Sequence, residues 1–272
     1  MPVDPQLRTL DIEIPTQPEV LVKLSLLMAS EDVDLPAISA LVESDMALAA
    51  AVMKAVNSSL YGLQGRVQTV HQALTYLGMR EVAAITFEMG LRAAFPPAVE
   101  LEPIWARASQ RGLLMGRMGQ MLGVDPWAAH SAGLFEECGK AVLYRHAPAH
   151  YPAMLRAAQT DSELVQLEHT AFGVSHDALG AALCESWGLA PSAVVSVRHH
   201  VQVQDSLLIP DVVQRRSVLA ISAMAWALLN RPDDIEDIAR DIAPQAQLDE
   251  TLVLRAARRV HEQLLEAQER GR

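Results

Sequence analysis

Residues 103–122 read PIWARASQRGLLMGRMGQML, the most regular stretch of the chain. Trp105, Ala108, Gly112, Met115, Gly119 and Leu122 recur at intervals of three and four, the spacing of one helical face. Three of these six residues are Ala or Gly, and small side chains let a second helix approach closely. Each glycine costs a helix about 1 kcal/mol against alanine, so close packing is the expected compensation. A membrane reading fails, because Arg107, Arg111 and Arg117 interrupt the run. The stretch predicts a central, tightly packed helix.

The same period continues on both sides. Upstream, Val20, Leu24, Leu27 and Met28 share a face behind Pro15 and Pro18. Asp34 and Asp45 stand as N-caps, the first before Ile38, Leu41 and Val42, the second before Leu48, Val52, Ala55 and Val56. Gly62 breaks the chain. Thr69-Val70-His71-Gln72 reads as a capping box, opening a helix that carries Ala73, Leu74 and Leu77 and stops at Gly78. Val82, Ile85 and Met89 mark the next helix, and Phe95-Pro96-Pro97 ends the segment. Downstream, Asp125-Pro126 starts a helix running toward Tyr144, His146 to His150 reads as a loop, and helices are expected at 152–159, 162–171, 176–187 and 191–202. Two more, at 211–229 and 249–268, flank a segment whose seven acidic residues between 231 and 250 read as a linker. No stretch alternates with period two over strand length. The fold class is therefore all-α. The expected organisation is an N-terminal helical subdomain at 12–97, a second at 98–210, and a helical extension at 211–272.

Composition narrows the partners. The net charge is −11, whereas a groove that tracks phosphates draws its affinity from Lys and Arg, so nucleic acid is not the expected main partner. Cys138 and Cys184 form no CxxC pair, which excludes a disulfide framework and a zinc ribbon. The opening Met-Pro-Val-Asp lacks the basic and apolar regions of a signal peptide, and no apolar run of about 18 residues appears. A cytoplasmic protein without a membrane span is expected.

Several short motifs, in order, resemble one family. Ile14 to Val20 is similar to its opening Pro-x-x-Pro segment, Ser44-Asp45-Met46-Ala47-Leu48 to its "sDpaL" start, and Asn57-Ser58-Ser59-Leu60-Tyr61-Gly62 to its Asn-Ser-x-x-Tyr-Gly signature. Thr69 through Gly78 resembles its "T-sv-x-x-A-l-x-x-LG" helix. Ala132-Gly133-Leu134, Gly139-Lys140 and Val142-Leu143 resemble its "aGLLHDIGKLVL" block. His176-Asp177-Ala178-Leu179-Gly180, Trp187 through Pro191, and His199-His200 complete the series. These are motifs of the HDOD domain, a relative of the HD phosphohydrolases, and they run from about residue 12 to 205. The resemblance implies an N-terminal helical bundle packed on an HD-like helical bundle, and a role in bacterial signalling.

It also shows what is missing. HD phosphohydrolases hold divalent metals with a His, a His-Asp dyad and a later Asp, and the metal activates water. Here the first position falls near Arg107, the dyad is Glu136-Glu137, and the last Asp falls near Ser222. A cation at the first position repels a metal. Two adjacent helical carboxylates diverge by about 100°, so Glu136-Glu137 reads as a solvent-exposed or Arg-paired acidic turn. His176-Asp177 is a literal His-Asp pair, but Ser175 and Gly180 make it an ordinary capped helix start. His176, His199 and His200 read as core or surface remnants of a metal site. Asn57 and Ser58 read as capping and turn residues rather than pocket contacts.

The leading expectation is a non-catalytic regulatory module that acts through a protein partner, with no cofactor and no metal. The alternative is a sensor whose degenerate pocket, near Arg107, His176 and His199, takes a nucleotide or other anion. A residual metal phosphohydrolase using Glu136, Glu137, His176, His199 and His200 is the third reading. The acidic 231–250 segment and the last helix are candidate docking surfaces, and the sequence is compatible with both a monomer and a homodimer.

Overall fold

The structure, a computed structural model, describes residues 11–28, 35–58, 60–61, 63, 65–211 and 213–270. Fourteen α-helices and no strand occur among them. The chain divides into two compact units, one of Thr16–Phe95 with His261 onward, the other of Pro96–Val260 with the described residues up to Pro15. The division thus falls between Phe95 and Pro96, and residues 211–260 cluster with 96–210 rather than apart from them.

The smaller unit holds α1 (Glu19–Met28), α2 (Leu35–Glu43), α3 (Met46–Val56), α4 (Val70–Leu77) and α5 (Met79–Ala93). On α1 the buried residues are Leu21 and Leu24, while Val20, Leu27 and Met28 are half-buried, so Leu24 lies inward as expected and Leu21 takes the place expected of Val20. Asp45 accepts from the Ala47 and Leu48 amides and caps α3. Asp34, the cap expected for α2, lies outside the described residues, as do Ser59 and Gly62. Thr69 accepts from the Gln72 amide, and the Gln72 side chain accepts in turn from the Gln68 amide, one residue before the cap. Asn57 caps α3 and ties down the following turn. Its Nδ2 donates to the Met53 and Val67 carbonyls at 3.0 and 2.8 Å, and its Oδ1 accepts from the Val67 amide. Backbone chemistry accounts for this residue.

The larger unit holds α6 (Glu102–Leu122), α7 (Pro126–His146), α8 (Tyr151–Ala157), α9 (Asp161–Phe172), α10 (His176–Ser186), α11 (Pro191–Ser206), α12 (Ser217–Asn230) and α13 (Ile235–Ile242), with the start of α14 (Glu250–Arg270). The glycines of α6 serve the close approach the sequence predicts. A Cβ on Gly112 would meet Leu134 at 3.1 Å, and one on Gly119 would meet Ala129 at 3.1 Å, both on α7. Gly133 of α7 answers from the other side, where a Cβ would lie 2.7 Å from the Arg111 carbonyl carbon and the Gly112 amide nitrogen. Every residue of α7 from Ala128 to Leu143 is buried, which makes it the axis of this unit. Asp125 caps it by accepting from the Trp127 and Ala128 amides.

The acidic segment is folded, contrary to the linker expectation. Within it, α13 buries Ile235, Ile238, Ala239 and Ile242 at helical spacing, and Asp233, Asp234, Glu236, Asp237 and Asp241 stand on the solvent side. The acidic count concealed an amphipathic helix. On α14, Val253, Ala256, Ala257, Val260 and Leu264 are buried, so the apolar face expected as a docking surface is largely turned inward, while Leu252 and Leu265 stay exposed.

Candidate functional site

Four helices of the larger unit join in a first buried polar cluster. Arg111 of α6 is 1% exposed and Glu136 of α7 is fully buried. Arg111 Nη2 donates to Glu136 Oε2 and, at 3.2 Å, to Ser222 Oγ of α12. Ser196 Oγ of α11 donates to Glu136 Oε1 at 3.0 Å. The carboxylate therefore has partners on both oxygens. Burial pulls the Arg111 guanidinium below its ordinary value, against the nearby Glu137 and Asp161 carboxylates, and an arginine still keeps its proton at neutral pH.

Glu137 faces a second cluster. Lys140 Nζ lies 2.9 Å from Glu137 Oε2 and 2.7 Å from Asp161 Oδ1 of α9. Burial alone would push the Glu137 carboxyl up, but Lys140 and the two arginines outweigh it and hold it below the usual range. Lys140 is raised, because the two carboxylates outweigh its own desolvation. Arg107, the cation expected at the first ligand position, is half-exposed and reaches only within 4.0 Å of Glu137.

A third cluster surrounds Glu168 of α9. It accepts from the His176 amide and from His176 Nδ1, both at 2.7 Å, and from the Tyr151 hydroxyl at 2.5 Å. Glu168, rather than Ser175, thus caps α10, since Ser175 makes no capping bond. His200 of α11 packs its ring edge-on to His176, with centroids 5.7 Å apart, and donates from Nδ1 to the Val197 carbonyl at 2.7 Å. His199 is half-buried and joins none of these bonds. The crossing of α7 and α10 that sets this geometry is made by two glycines. A Cβ on Gly139 would fall on the His176 carbonyl, and one on Gly180 would lie 2.9 Å from the Phe135 carbonyl.

Two expectations are corrected. Glu136-Glu137 is no exposed turn: both residues sit in mid-helix, 0% and 2% exposed, and the Arg-paired half of that reading is the correct one. The cation that counters the dyad position is Arg111, one helical turn beyond Arg107. His176 and His200 are core residues. The sequence reading also missed Arg111, Lys140, Ser196, Asp161, Glu168 and Tyr151 as site residues. Only Lys140 left a signal, as the i+3 partner of Glu137.

The donors do not fit a metal. Glu136, Glu137, Asp161 and Glu168 are each bound to a basic group or a ring N–H, and no group of three or more His, Cys, Asp and Glu is arranged to hold an ion among the described residues. Nε2 of His176 and of His200 are buried without a partner, but two imidazoles fall short of the three protein ligands of a catalytic zinc.

The His200 imidazole is pushed down to about 3, by burial first and then by His176 and Arg111, with Val197 and Asp161 opposing. A depressed imidazole contributes stability that is complete above its unfolded value near 6.5 and is lost as pH falls toward the folded value. Thermal melts should therefore decline between pH 6.5 and 4, and His200→Leu should flatten that decline. An unchanged slope in the variant would exclude His200 as its source. The losses from Glu137 and Asp161, both held below their ordinary values, come at lower pH.

The larger unit is thus an all-helical bundle whose buried charges compensate one another where α6, α7, α11 and α12 meet. The chain belongs to the HDOD domain family, whose pattern it matches over residues 14–203. An uncharacterised protein of Treponema pallidum (strain Nichols) is 26% identical over a match of 196 residues that covers 69% of this chain and 37% of that protein. An HDOD domain protein of unknown function from Geobacter sulfurreducens superposes with a TM-score of 0.69 at 20% identity, covering 98% of this chain and 92% of that one. A proposed signal transduction protein of Marinobacter aquaeolei VT8 gives 0.71 at 21% identity, covering 96% and 60%. At these identities the likeness is one of fold. Among the described residues no single helix is long and apolar enough to cross a membrane.

Proposed function

We propose that this chain acts by binding rather than by turnover, as a regulatory module of bacterial signalling that works in the cytoplasm through a protein partner. One observation carries the reading. The two positions that align with the metal-binding dyad are both carboxylates already neutralised by protein cations, Glu136 by Arg111 and Glu137 by Lys140. A metal entering here must displace a buried guanidinium or ammonium and leave that charge without a partner, which is strongly unfavourable. Ser222, near where the last metal-binding Asp falls, offers Arg111 a hydroxyl instead of offering a metal a charge. The similarity to a proposed signal transduction protein supports the signalling role.

The test is an assay of the purified chain in added Mn²⁺ against bis(p-nitrophenyl) phosphate and nucleotide phosphodiesters. No turnover above the buffer rate is expected. Metal-dependent turnover that disappears in His176→Ala and His200→Ala would make the chain a residual phosphohydrolase.

A second reading, a sensor of nucleotides or other anions, is favoured by one feature. A cleft of about 740 Å³ opens over the Glu137–Lys140–Asp161 cluster, with Arg107 in its wall. His176, His199 and His200 do not line it.

A further inference from the structure

The cleft over Lys140 carries more chemistry than its charge. Gln204 of α11 lines it and is 5% exposed, yet neither Oε1 nor Nε2 of its amide has a hydrogen-bond partner. Native structures rarely leave a buried amide wholly unsatisfied, and this one belongs to a residue of the cleft wall. Trp226 of α12 lines the same wall, half-buried, with the Arg231 guanidinium 6.0 Å from its ring centroid. Arg107 and Arg156 line the cleft as well and are solvent-accessible.

The lining carboxylates do not cancel these cations alike. Glu137 and Asp161 are taken up by Lys140. Glu100 accepts from the Tyr144 hydroxyl at 3.2 Å, and Asp205 is exposed. Arg231 is shared with Asp234 at 2.7 Å. Arg107, 4.0 Å from its carboxylate, and Arg156 remain available to an anion.

We propose that this cleft binds an adenine nucleotide, with the base stacked on Trp226, its edge read by the Gln204 amide, and its phosphates held by Arg107 and Arg156. An amide presents one donor and one acceptor side by side, the complement of the adenine N6 and N7 edge. A tryptophan face stacks any base, so it supplies affinity while Gln204 supplies the choice. Guanidinium groups suit phosphate oxygens. The inference rests on the reading of the chain as a binding module, and it replaces the histidines of the sequence-based pocket with residues of α11 and α12.

The experiment is calorimetric titration of the full chain with ATP, GTP and inorganic tripolyphosphate, in EDTA. ATP should bind saturably, with GTP roughly tenfold weaker and tripolyphosphate weaker still. Gln204→Leu should abolish the preference for ATP over GTP without changing tripolyphosphate binding. Trp226→Leu should weaken both nucleotides, and Arg156→Gln should weaken all three ligands, more so at low salt. Arg156 is exposed, so its variant tests the cleft even if Gln204→Leu does not fold. No saturable ATP binding, or ATP binding untouched by the Trp226 and Arg156 variants, would overturn the proposal and leave the non-catalytic reading standing. ATP binding followed by hydrolysis once Mn²⁺ is added would keep the cleft and overturn the non-catalytic reading instead.

Discussion

Glu136→Ala should lower folding stability by about 3–5 kcal/mol, because it leaves the Arg111 guanidinium buried without its carboxylate. Arg111 is 1% exposed and its remaining donor contact is the Ser222 hydroxyl, so water cannot take over. Arg111→Met should cost a similar amount from the other side, stranding a fully buried carboxylate that then keeps only Ser196. The double variant Arg111→Met with Glu136→Leu should recover most of the loss, since well-packed apolar residues often replace a buried ion pair at little cost. Urea denaturation of the three variants measures this directly. A double variant as unstable as the sum of the singles would mean that the pair is not the unit described here.

Gly139→Ala is the second large effect. Its Cβ would sit on the His176 carbonyl, 2.6 Å from the His176 carbonyl carbon and 2.9 Å from the Gly180 amide nitrogen. All three are backbone atoms at the crossing of α7 and α10, so no rotamer change relieves the contact. Overpacking of a core ordinarily costs about 1–3 kcal/mol, and this substitution should exceed that range, which for a domain of this size corresponds to a fall of roughly 6–12 °C or more in melting temperature. Gly116→Ala is the control. Its Cβ would meet the His130 side chain at 3.1 Å, and the gain of about 1 kcal/mol in helix propensity should offset the adjustment. Equal losses for both glycines would show that the α7–α10 crossing is looser than it appears.

The helices were legible because their signals are local. The three-and-four spacing of 103–122, the capping oxygens of Asp45, Thr69 and Asp125, and the glycines of α6 each act within a few residues of the feature they specify. The one helix missed, α13, has only four buried positions in eight residues, and composition outweighed periodicity in reading it. The site was less legible because its bonds are tertiary. Glu136 meets Arg111 across 25 residues and Ser196 across 60, and Arg111 meets Ser222 across 111. Three arginines lie on α6, and nothing local says that Arg111 is the one turned inward. Its neighbour Gly112 is a clue only afterwards, since the tight α6–α7 contact that encloses the guanidinium is made there and at Gly133. The cleft residues Gln204 and Trp226 left no trace in the sequence, because an unsatisfied amide is visible only when its surroundings are.

Elemental analysis of the untagged chain, purified after exposure to Mn²⁺ and Fe²⁺ and then freed of loose ions, tests the proposal that protein cations stand where HD phosphohydrolases hold a metal. No stoichiometric transition metal is expected, either in the native chain or in His176→Ala. One metal per chain, lost when His176 or His200 is replaced, would overturn the proposal and return those histidines to service as ligands.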